Sequence, residues 1–164
     1  MRKRMDTYLL TRSCYTGLNE YHGFREDRQI GTALAQVLPG FPVSLHSSSG
    51  CLACRRSPEW ITLNDCDSGM EFARILRDRP GHYRLHTSHG QLEVDCREGI
   101  FLISRDGVAI AGLGPVQRGS PFDLAHPEYR TAEREPHMAM MAAEALPDDL
   151  ALVLLCFPLL RTGL

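Results

Sequence analysis

Between residues 82 and 112 the chain alternates apolar and polar residues in short runs, and glycine-containing turns interrupt the runs. Residues 82–87 set Tyr83 and Leu85 against His82, Arg84 and His86. Residues 91–96 set Leu92, Val94 and Cys96 against Gln91, Glu93 and Asp95. Successive side chains of a strand point to opposite faces, so this pattern buries one face and wets the other. The runs 100–104 and 108–112 follow, and Ser88-His89-Gly90, Arg97-Glu98-Gly99 and Arg105-Asp106-Gly107 separate the four. Such spacing predicts a four-stranded antiparallel meander over about 82–112. Apolar residues on both faces of 100–104 make the third strand its expected centre.

Elsewhere the pattern reads differently. Ile30, Leu34, Val37 and Leu38 recur at helical spacing, with Glu26 and Asp27 before them and Pro39-Gly40 after, which predicts a helix over 24–38. Ser68 and Glu71 form a capping-box pair ahead of Met70, Ala73 and Leu76, predicting a second helix over 68–78. Glu135-Pro136 opens a third over 136–146, with Met138, Met141 and Leu146 inward. Residues 7–12, 41–46 and 59–63 read as strands, 16–23 and 112–127 as loops, and 51–58 as irregular. The apolar run 150–157 is short and bounded by breakers, which favours a buried strand over a buried helix. The resulting expectation is one α+β domain over 1–164, a mostly antiparallel sheet packed by about three helices.

At 164 residues, with 43% apolar and 23% charged residues, the chain has enough apolar content for its own core. A net charge of −2, with its arginines scattered, predicts no attraction to nucleic acid or to anionic membrane. The basic group Arg2, Lys3 and Arg4 is followed by Asp6 and only a short apolar stretch, and no run approaches the ~20 residues that span a bilayer. The default compartment is the cytoplasm, where the six cysteines would be mostly reduced.

Three sets of residues carry candidate chemistry. Cys51-Leu-Ala-Cys54, with Cys66 downstream and His46 upstream, supplies the four soft or borderline ligands that a tetrahedral zinc requires. Cys14, His22 and Cys51 supply thiols and an imidazole for nucleophilic catalysis, without an identifiable orienting group. His82 and His86 would lie about 13 Å apart on one strand and so could not share a metal. Together with Arg84, Gln91, Glu93 and Asp95 they make the wet face of the meander a candidate binding surface instead. No convergent catalytic set emerges. The leading expectation is therefore a non-enzymatic domain that binds another protein through a preformed surface, as a small bacterial or phage inhibitor, immunity or adaptor protein would. The alternatives are a Cys/His enzyme and a zinc-stabilised module, zinc being the one cofactor suggested.

Overall fold

The computed structural model describes residues 5–14, 18–36, 42–162 and 164. Its strands are β1 (Asp6–Cys14), β2 (Leu18–Arg25), β3 (Arg28–Gln36), β4 (Pro42–Ser47), β5 (Gly50–Arg56), β6 (Trp60–Asp65), β7 (Glu71–Arg79), β8 (His82–Thr87), β9 (Gly90–Arg97), β10 (Ile100–Arg105), β11 (Val108–Pro115) and β12 (Arg134–Ala142). Each pairs antiparallel with its neighbours in sequence, and β1 pairs with β12, so the twelve strands close into one barrel. The expected α+β fold with three packing helices is thereby overturned. The four strands of the predicted meander are present as β8–β11, a third of a continuous sheet. Closure removes every sheet edge, so no backbone edge is left to template pairing with another chain.

Each expected outer helix is a strand for a local reason. In 24–38, Glu26-Asp27 does not start a helix but closes the β2–β3 hairpin, with Glu26 at φ 54°. Ile30, Ala33 and Ala35 then face inward, and a bulge at Gly23/Phe24 obscures the period of two. The part of that helix at 37–38 and its Pro39-Gly40 stop lie outside the described residues. In 68–78, the Ser68 hydroxyl bonds Asp65 and accepts from the Met70 amide, closing the β6–β7 turn rather than capping a helix. Ala73 and Ile75 are buried while Met70 is 72% exposed, the reverse of a helical face through Met70. In 136–146, Met138, Met140 and Ala142 point inward and Met141 outward. Pro136 is accommodated because the β1–β12 register shifts beside it, where a missing N–H breaks no regular ladder. The loop expected at 16–23 contains β2, and the irregular segment at 51–58 contains β5.

The C-terminal apolar run is the opposite correction. It is no strand but a helix, α2 (Asp148–Leu155), followed by a short α3 (Phe157–Leu160). Every residue from 150 to 157 is buried. A helix apolar all round must be surrounded on all sides, and here the barrel surrounds it. Leu152 packs against Gly23 and Gly31, where an added Cβ would lie 2.9 Å and 2.7 Å from its methyls. The missing side chains on these two inward positions let the helix sit against the β2–β3 hairpin. Phe157 meets the rings of Tyr83 and Phe101 edge-on. At one end Arg28 grips Asp148 with two bonds of 2.9 and 3.0 Å. At the other, Arg56 donates to the carbonyls of Leu160 and Thr162, and Arg77 to that of Leu164.

The β11–β12 connection holds a short helix, α1 (Pro121–Ala125), and a 3-10 helix at Pro127–Tyr129. It folds back over the outer side of β2. Tyr129 bonds the Glu26 carbonyl and tilts against Phe24. Inward positions of the barrel are mainly apolar, with Arg12, Arg56 and Arg77 near its ends, and the outward positions of β7–β9 carry Arg74, Arg84, His86, Gln91 and Glu93. Over β7–β9 that is the reverse of a lipid-facing barrel, whose outer band is apolar. Among the described residues no helix is long and apolar enough to cross a membrane.

Candidate functional site

The sequence-predicted binding face is assembled as a unit. Register places His82 opposite Asp95, Arg84 opposite Glu93 and His86 opposite Gln91, all on the outer side of β8 and β9. Cross-strand neighbours of this kind interact directly. His82 is not a wet residue as expected: it is only 8% exposed, with Nδ1 2.6 Å from Asp95 and Nε2 3.9 Å from Asp78. Arg84 turns away from Glu93 to Asp78 at 3.5 Å, and its Nε is buried with no hydrogen-bond partner. His86, Gln91 and Glu93 are exposed.

An apolar strip adjoins this face. Asp95 pairs across to Leu102, Leu102 to Gly112, and Gly112 to Met141, all outward. Ile100, Leu102 and Met141 are 53%, 47% and 41% exposed, and Ile100 lies over Gly114. The third meander strand, read as central from its two apolar faces, is covered on the inner face alone: its outer residues Ile100 and Leu102 meet solvent. The β11–β12 connection covers the outside of β2 but not of β10, so the apolar outer residues of β10 stay uncovered.

The proposed zinc ligands do not converge. Cys51 and Cys54 sit three apart on β5, which puts them on opposite faces of the sheet. Cys51 lies opposite His46 on the outside, whereas Cys54 lies opposite buried Leu63 and packs against the core. Cys51 is bonded to Cys66 across the β5–β6 pair, with Cα atoms 5.4 Å apart. His46 turns to the Ser44 hydroxyl at 3.1 Å. No group of three metal-ligating side chains is present among the described residues. A C-x-x-C knuckle needs a tight turn, and β5 is extended.

The nucleophile set is also dispersed. His22 lies opposite Thr11 and contacts Gln29 at 3.1 Å and Glu20 at 3.5 Å. Cys14 stands three positions further along β1, about 10 Å away along a strand; its side chain lies outside what is described. The Cys51 sulfur is in the disulfide. Burial pushes the Cys54 thiol up to about 12, an effect that Arg56 only moderates, and burial also raises Cys156 strongly. Neither is a thiolate at neutral pH.

A second feature was not legible in the sequence. Arg12, Arg118, Arg130 and Arg134 line one cleft of about 520 Å³ with Glu133 and Glu135. Arg12 comes from β1, opposite buried Tyr21, and the others from the β11–β12 connection and the start of β12. Arg130 is spent on Asp123, which accepts from its Nε and Nη2 at 3.2 and 2.9 Å. The Arg12 Nε is buried with no partner, and its Nη2 reaches only Asn19, at 3.5 Å. Barrel closure brings the first and last strands together here. The sequence shows only that the arginines are scattered along the chain, which gives no indication of which ones meet.

Comparison with protein-family models, with curated proteins and with solved structures returned no match to this chain.

Proposed function

We propose that this chain is a non-enzymatic binding domain that engages another protein through the outer face of β8–β10. The observation that carries the reading is the filled interior. Residues 150–157 occupy the space that a barrel otherwise offers to a small ligand. What remains is the exterior, and on it exposed Ile100 and Leu102 stand beside the polar set His86, Gln91 and Glu93. Apolar residues flanked by polar ones suit a protein interface of about 800 Å² per partner. Small inhibitors, immunity proteins and adaptors act in this way, without chemistry of their own. For the compartment, the Cys51–Cys66 bridge favours oxidising surroundings and weighs against the cytoplasmic default.

The test compares partner capture by the wild-type chain, by His86→Glu and Leu102→Arg on this face, and by His46→Glu on another outer strand. The expected result is one partner held by wild type and His46→Glu, and weakened about tenfold or more by the other two. Equal binding by all four proteins would move the interface elsewhere.

A further inference from the structure

We propose that the arginine cleft between β1 and the β11–β12 connection is a binding site for a carboxylate. The site is separate from the β8–β10 face and does not depend on it. Among the described residues Arg12, Arg118 and Arg134 have no carboxylate within ion-pair distance, although all three line the same cleft as Arg130. Like charges gathered in one place repel, and an anion between them turns that repulsion into attraction. Arg12 adds the sharper observation. Its Nε is withdrawn from water and bonded to nothing, a state that costs stability unless something else completes the set. Guanidinium groups present paired N–H donors that match the two oxygens of a carboxylate.

The lining also selects the class of anion. Arg130 pairs with Asp123 and lies 3.7 Å from Glu135, so four guanidiniums share the site with three carboxylates, Asp123, Glu133 and Glu135. The cleft is thus only about one charge positive, which suits a monoanionic carboxylate. A phosphate dianion would meet both glutamates with an extra charge and no extra partner. The neighbouring His137 adds no positive charge at neutral pH, because burial and then Arg12 lower its pKa.

A carboxylate reaches such a cleft either as a small metabolite or as part of an acidic polypeptide. The experiment follows the arginine Nε–Hε resonances of the intact protein by NMR at constant ionic strength. The probes are acetate, an acetylated and amidated tetraglutamate, inorganic phosphate, and chloride as control. Saturable shifts with acetate or tetraglutamate, weakened roughly tenfold in Arg118→Gln and unchanged in Arg97→Gln, are expected. Arg118 and Arg97 are both exposed, so neither change threatens the fold. Tetraglutamate binding more than about tenfold tighter than acetate identifies a polypeptide source, and comparable affinities identify a small carboxylate. Phosphate binding tighter than both would overturn the assignment to carboxylate. Shifts no larger than those with chloride would remove the site altogether.

Discussion

The seat of Leu152 against the β2–β3 hairpin gives a direct test of whether the C-terminal helix lies inside the barrel. An alanine at position 23 would place its Cβ 2.9 Å from Leu152 Cδ1, 3.4 Å from Ile30 Cγ1 and 3.6 Å from Leu155 Cδ1. Overpacking of this size costs about 1–3 kcal/mol. Leu152→Ala alone empties a fully enclosed site and costs about 2–5 kcal/mol. In the double variant the new methyl enters space that the leucine has vacated, so the Gly23→Ala penalty disappears. The two changes then couple by about 1–3 kcal/mol, well beyond the ~0.5 kcal/mol scatter of independent sites. Gly31→Ala is the internal control. Its Cβ would lie 2.3 Å from the His46 carbonyl oxygen as well as 2.7 Å from Leu152, and truncating the leucine cannot relieve a backbone clash. Urea unfolding followed by circular dichroism supplies the free energies. Additive effects at positions 23 and 152 would refute the seating of the helix on this hairpin. Rescue of Gly31→Ala by Leu152→Ala would refute the register of β3 with β4.

Other expectations follow from the cysteines and from His137. Denatured and alkylated without reductant, then digested, the protein should carry labels on Cys54, Cys96 and Cys156 and none on Cys51 or Cys66; labels on Cys51 and Cys66 would exclude the bridge between them. Removing that bridge, whose ends are 15 positions apart in sequence, should lower stability by about 3 kcal/mol in urea unfolding. With Cys54 held at about 12, roughly one molecule in ten thousand carries its thiolate at pH 8, so a disulfide-exchange reagent should modify it only as fast as the barrel opens. Burial, then Arg12, lowers the folded pKa of His137, while Glu135 opposes them. The unfolded chain therefore takes up this proton first, near its usual pKa of about 6.5. The stability linked to His137 is complete above that value. It is lost as pH falls towards the folded pKa, by at most about 1.4 kcal/mol per pH unit. His137→Gln should flatten that part of a plot of urea midpoint against pH, and an unchanged slope between pH 7 and 5 would show that another group is responsible.

The sequence by itself determined the strands whose alternation is clean. β8 to β11 could be read because each hairpin turn is short and carries a glycine, and at Asp106-Gly107 both residues adopt positive φ, which suits a tight two-residue turn. The residues of the β8–β9 face followed from the same alternation, because period two alone assigns side chains to faces. Tertiary structure decided the rest. Bulges at Gly23/Phe24, Leu63/Asn64 and Leu10/Thr11 shift the alternation, so the strands around them imitate helical spacing. The run 150–157 has no polar face because a barrel encloses it, and periodicity cannot separate a strand from a helix when nothing faces water. C-x-x-C spacing carried a meaning only for a turn, and an extended β5 sent its two sulfurs to opposite sides. The arginine cleft exists because β1 pairs with β12, a contact between the first and last strands that local sequence does not encode.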